Sequence, residues 1–282
     1  EVLLWVSSVV LLLAVFEIGY AYRQYWKEIG KSWVLPPTPY RVTGILGHAN
    51  ALMAFLNLSA PIALIFFFES KKPIQKALLL VWGVLYVFVL PFTSSRGGWL
   101  GAVTWMLILG LGLFTRRYPW KVVLDFIRQK RKWIIPFVIL GIGIVLLLGY
   151  LFVIKFAGYR LSNANPFSGR SEMWESGLRV WQSSPWLGVG PGRFPMEILK
   201  AVDNIPPKYW PSHAHNLFIN VLAEFGIMGL LVILTLIITV VLNAKRIHSR
   251  ISDQRYSLFI AIVASMIGLL VQMIVDDFMV WM

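Results

Sequence analysis

Seven apolar runs separated by polar loops set the pattern of this chain: Val2 to Tyr20, Gly44 to Phe68, Ala77 to Phe92, Gly98 to Phe114, Trp133 to Ile154, Leu217 to Leu242 and Leu258 to Trp281. A hydrocarbon core of about 30 Å demands roughly 20 residues of helix. Each run comes near that length, so the pattern predicts an all-α polytopic membrane protein with about seven transmembrane helices. The loops alternate between two kinds. Glu69 to Lys76, Thr115 to Lys132 and Asn243 to Tyr256 concentrate Lys and Arg, and the loops between them are sparser. Because basic residues gather in cytoplasmic loops, these three are expected inside, the others outside, and the chain is expected to start inside.

Composition agrees with the pattern. The 282 residues are 58% hydrophobic and only 14% charged, whereas a soluble domain is nearer half apolar and a quarter charged. A net charge of +13 would suggest nucleic acid in a soluble protein; its confinement to alternate loops makes it a topological signal instead, and no nucleic-acid partner is expected. Cysteine is absent, which excludes disulfides and a thiol nucleophile. No internal repeat or cleavable signal pattern is visible, so residues 1–282 read as one membrane domain. Both ends coincide with apolar runs, as expected for a fragment of a longer polytopic protein.

One outside segment, 155–213, is much longer than the other loops and holds most of the turn residues. Long loops in compact proteins carry function or structure of their own. Within it, Ser171 to Ser183 predicts a short amphipathic helix with Trp174, Leu178 and Trp181 on one face, lying on the bilayer or on the tops of the spans. It ends at Pro185, and Gly188-Val-Gly-Pro-Gly192 follows as a turn.

The assigned topology sends the unusual polar residues to one side. Arg96 lies in the short turn Thr93-Ser-Ser-Arg-Gly-Gly98, Arg170 opens the loop helix, and His213, His215 and Asn216 precede the sixth run. His48 and Asn50 lie near the outer end of the second run, with Asp276 and Asp277 near the outer end of the seventh. Taken singly, arginines at helix ends snorkel to lipid phosphate and histidines cap or sit at interfaces. Lys155, Arg160, Arg179 and Arg193 read as ordinary loop charges. A metal site is disfavoured, since His213 and His215 are two apart and no cluster of carboxylates joins them. Together, two guanidinium groups and a neutral imidazole suit phosphate binding combined with proton abstraction from an attacking hydroxyl. His215 is the candidate base and Asn216 its local orienter; His213, His48, Asn50 and Asp276 are supporting candidates.

Three stretches resemble the O-antigen ligase and polymerase superfamily: Thr93-Ser-Ser-Arg-Gly-Gly98; Ser168-Gly-Arg-Ser-Glu-Met-Trp174 with Ser184-Pro-Trp-Leu-Gly-Val-Gly-Pro-Gly192; and His213-Ala-His-Asn-Leu-Phe218 with Ala223-Glu-Phe-Gly-Ile-Met-Gly229. Thr43-Gly-Ile-Leu-Gly-His-Ala-Asn50 is similar to the opening of an earlier span in that family. The resemblance runs from about Tyr40 to the end. It implies a membrane glycosyltransferase of type C architecture, acting at the outer face of the cytoplasmic membrane, in a whole protein of about twelve spans of which this chain is a fragment. The donor would be an undecaprenyl diphosphate-linked glycan, the acceptor a glycan, lipid or protein, and no cofactor or metal would be required. By the same resemblance Arg96 and Arg170 bind the donor diphosphate and His215 activates the acceptor hydroxyl.

The rival reading from another class is a transporter or channel, for bicarbonate or another small solute. Transporters place polar residues near the bilayer midplane, often at broken helices. Here the polar residues gather at one rim, and Glu17 and Glu224 are the exceptions within the runs.

Overall fold

The computed structural model describes residues 2–29, 41–118, 170–201, 213–248 and 250–275, with a few isolated positions between 125 and 136. Among them every regular element is helical. In chain order these are α1 (Val2–Ile29), α2 (Ala49–Glu69), α3 (Pro73–Thr93), α4 (Arg96–Arg117), α5 (Arg170–Ser183), α6 (Phe194–Ala201), α7 (Leu217–His248) and α8 (Asp253–Val275). Five of them, α2, α3, α4, α7 and α8, are long and apolar enough to cross a membrane, and α1 occupies the first apolar run. The fifth run, 133–154, lies outside the described residues, as do Asp276 and Asp277. The protein is thus an all-α polytopic membrane protein.

α2, α4 and α8 form the centre of the bundle, with α3 and α1 packed on α2. Small residues make the centre possible. A Cβ on Gly101 would lie 2.8 Å from the Gly268 carbonyl oxygen, and one on Gly268 would lie 2.9 Å from the Gly101 carbonyl, so α4 and α8 touch backbone to backbone. Lower down, a Cβ on Gly112 would overlap Ile260.

A group of polar side chains buried between these helices is joined by hydrogen bonds. Asn57 of α2 is fully buried; its amide donates to the Gly98 carbonyl (2.9 Å) and to Oε1 of Gln272 (3.1 Å), and its Oδ1 accepts from the Tyr86 hydroxyl (2.8 Å). The Trp105 indole donates to that hydroxyl at 3.3 Å. One asparagine therefore joins α2, α3, α4 and α8, where lipid offers no alternative partner.

α5, α6 and the first two turns of α7 form a second layer at one end of the bundle. Its core is Val180, Phe194, Ile198, Ala214 and Ala223. The buried stripe of α5 is Ser176, Gly177 and Val180, and Gly177 meets Ile219 and Ala214. The predicted stripe of Trp174, Leu178 and Trp181 is not the packed one; Leu178 is exposed. Spacing finds large apolar residues, whereas this contact selects small ones because α5 must lie close to α7.

The layer is joined to the membrane segment by a break in α7. Gly226 has φ 64 and ψ −163, which interrupts the helix and strips hydrogen-bond partners from the residues around it. The loop after α5 supplies them. Val189 N–H donates to the Ala223 carbonyl and Gly190 N–H to that of Glu224, both at 2.9 Å. In return Ile227 N–H donates to Pro185 (2.9 Å) and Met228 N–H to Trp186 (3.2 Å). Gly188 and Gly226 let the two segments meet: a Cβ on Gly188 would lie 2.3 Å from the Glu224 carbonyl carbon, and one on Gly226 would lie 2.4 Å from that of Trp186. The glycine turn and the Ala223-Glu-Phe-Gly-Ile-Met-Gly229 stretch are two halves of one joint.

Candidate active site

The end of the bundle that carries this layer is opposite the basic loops, and the heads of α2, α4 and α7 all open there. At the head of α4, Ser94 is left-handed (φ 48) and Ser95 Oγ accepts from Gly98 N–H at 3.1 Å. Arg96 is the first residue of α4 and is half-buried. No acidic residue occupies that first turn. A cation at the positive end of a helix is unfavourable by about 0.3–1 kcal/mol, a cost that a bound anion would offset. Gly98 keeps the head of α4 against α2, since a Cβ there would come within 2.6 Å of Met53 Cβ.

A second guanidinium is anchored at the end of α3, three residues before Arg96. Arg41 Nε donates to the Thr93 carbonyl at 2.8 Å, and Nη2 donates to Oδ1 of Asn50. Sequence reading missed Arg41, whose anchor at Thr93 is 52 positions away; its place just before the Thr43 to Asn50 stretch was the available signal. The turn 44–47 that follows is clasped by α1. Glu17 accepts from Ile45 N–H at 2.9 Å, and Gln24 Oε1 accepts from the amides of Thr43 and Gly44. His48 then stands in the N-cap position of α2.

At the head of α7 the tripeptide His213-Ala-His215 is fixed amide by amide. His213 is 1% exposed, and its Nδ1 accepts from His215 N–H at 3.1 Å. Ala214 N–H donates to Asn220 Oδ1 at 3.2 Å. His215 is left-handed (φ 52), a conformation that costs a non-glycine residue about 1–2 kcal/mol. Its ring lies edge-on to that of His213, with centroids 4.1 Å apart. Asn216 caps the helix, its Oδ1 accepting from Phe218 (2.9 Å) and Ile219 (3.2 Å). Those two amides are thereby committed to the cap.

The last turn of α8 links the two halves of the site. Gln272 Nε2 donates to the Asn50 carbonyl and Asn216 Nδ2 to the Ile274 carbonyl, both at 2.8 Å. His48 and Asn50 on one side and His213 to Asn216 on the other are therefore tied to one helix end. Arg170 is the first residue of α5, and its side chain lies outside the described residues. The carboxylate of Glu224 accepts from Phe194 N–H at 3.4 Å, at the head of α6. Glu17 and Glu224 thus both bind backbone amides at this end. Among the described residues no three His, Cys, Asp or Glu side chains come together as a metal would need.

No match is found among curated proteins. A family model described as O-Antigen ligase matches residues 78–234, more than half of the chain. That segment includes Arg96, Arg170 and the whole His213 to Asn216 turn. A match over that length, on a chain built of apolar helices, places it: this chain belongs to the O-antigen ligase family of polytopic membrane glycosyltransferases.

Proposed function

We propose that the protein transfers an oligosaccharide or polysaccharide from an undecaprenyl diphosphate-linked donor to an acceptor hydroxyl at the outer face of the cytoplasmic membrane. The observation that carries this reading is the arrangement of three helix heads: Arg96 opens α4, Arg170 opens α5, and His215 is held in a left-handed turn before α7. The basic loops at the opposite end support placement outside.

Arg96 and Arg170 grip the donor's diphosphate, for which the planar guanidinium is suited. His215 takes the proton of the acceptor hydroxyl. The acceptor oxygen bonds to the anomeric carbon from the face opposite the diphosphate, the carbon–oxygen bond to phosphate breaks, and undecaprenyl diphosphate leaves with the bonding pair. The arginines stabilise the negative charge that develops on it, and the sugar carbon is inverted. No metal takes part. Arg41 ties the end of α3, at the Thr93 carbonyl three residues before Arg96 in the chain, to Asn50 in the first turn of α2.

The test is transfer from a defined lipid-linked donor by purified, membrane-reconstituted protein. Arg96→Ala, Arg170→Ala and His215→Ala are each expected to lose transfer by on the order of 10²-fold or more while remaining folded. Wild-type rates for His215→Ala would remove the base assignment. EDTA should leave the rate unchanged; inhibition reversed by a divalent cation would end the metal-free mechanism.

A further inference from the structure

The left-handed backbone of His215 raises the question of what holds it. Asn216 and Asn220 are committed elsewhere: Asn216 to Phe218, Ile219 and Ile274, and Asn220 to Ala214. The bond that reaches the amide of His215 itself comes from the buried Nδ1 of His213. An Nδ1 that accepts a hydrogen bond carries no proton, so neutral His213 keeps its ring proton on Nε2. The same ring stands against the His215 imidazole, with centroids 4.1 Å apart and planes at 63°. One side chain therefore constrains both the backbone and the ring plane of its neighbour.

We propose that His213 is a positioning residue, whose Nδ1 and ring edge set where the imidazole of His215 stands. This rests on the reading of His215 as the base. A buried histidine at this point is otherwise an expensive choice, because a leucine of similar bulk would fill the space; what leucine lacks is the acceptor. Asparagine restores it, since its Oδ1 takes about the place of Nδ1, whereas glutamine carries its oxygen one atom further from the backbone.

The experiment compares His213→Leu, His213→Asn and His215→Ala in the full protein reconstituted in membranes, reading donor KM and turnover separately together with thermal unfolding. His213→Leu should lower turnover by on the order of 10²-fold, the scale of a displaced catalytic group, with donor KM little changed. His213→Asn should keep most of the wild-type turnover. Equal loss in both variants, or wild-type turnover in His213→Leu, would overturn the positioning role. If His213→Leu fails to fold, His213→Gln takes its place; a glutamine variant as active as the asparagine one is then the contrary result. His215→Ala separates the two readings. An active His215→Ala removes the base itself, whereas an inactive one beside a fully active His213→Leu removes only the positioning.

Discussion

The bundle and the layer at its end both depend on glycine, but in opposite ways. Between α4 and α8, Gly101 and Gly268 keep ordinary helical backbones and serve by having no side chain, so that two helices touch. In the joint between the loop and α7, Gly188 and Gly226 also have positive φ, and serve by adopting backbone shapes that other residues resist. The remaining polar groups differ in the same way. The bundle satisfies them with side chains, through Asn57 and Gln272, whereas the joint satisfies them with backbone, through the four bonds between residues 185–190 and 223–228. Close packing thus sets the distance between spans, and backbone geometry sets where the catalytic candidates are carried.

Substitutions test that contrast. The largest effect is expected from Gly226→Ala, which meets both demands at once: its Cβ falls 2.4 Å from the Trp186 carbonyl at a φ of 64. Strain and overlap together should cost on the order of 3–5 kcal/mol, seen as protease cleavage between α5 and α7 and as lost transfer. Gly101→Ala adds overlap alone, about 1–3 kcal/mol. It should lower the unfolding temperature in detergent while leaving the loop resistant to protease; cleavage of the loop in this variant would mean that the two regions are not separable. Asn57→Leu strands Gln272 and the Tyr86 hydroxyl, with an expected loss of about 1–2 kcal/mol in the same unfolding measurement. Gly110→Ala is the control. Nothing lies within 4 Å of a Cβ there, and the substitution should be neutral or stabilising by up to about 1 kcal/mol.

Much of the bundle was legible because hydropathy records what lipid requires of a side chain. The second, third, fourth, sixth and seventh runs correspond to α2, α3, α4, α7 and α8. The break in α7 was hidden for the same reason: Gly226 sits in an apolar run, and hydropathy carries no information on φ. α6 was missed because eight residues after a glycine turn are too few to show a period, and its anchors, Phe194 and Ile198, find their partners on other elements. The α5 boundaries were readable and its packed face was not, since Gly177 has no side chain to reveal a contact. At the site, Arg96, Arg170, His213 and His215 stood out as charge and imidazole beside apolar runs. The roles of the neighbouring residues depended on which partner each side chain takes, near or far. Asn216 directs its side chain to the first turn of α7 and to α8, and the contact with the His215 amide belongs to His213. Arg41 is bound to Thr93 and Asn50, partners that no local pattern indicates.

The joint at Gly226 also defines what could be moved between relatives. Exchanging the large loop alone would import Pro185 to Gly190 without the carbonyls and amides of Ala223 to Met228 that they meet. A hybrid cut at the start of α7 inherits half a seam. A portable cassette would run from the head of α5 through Met228 and place its downstream cut inside the lipid-facing helix, where α7 again supplies its own hydrogen bonds.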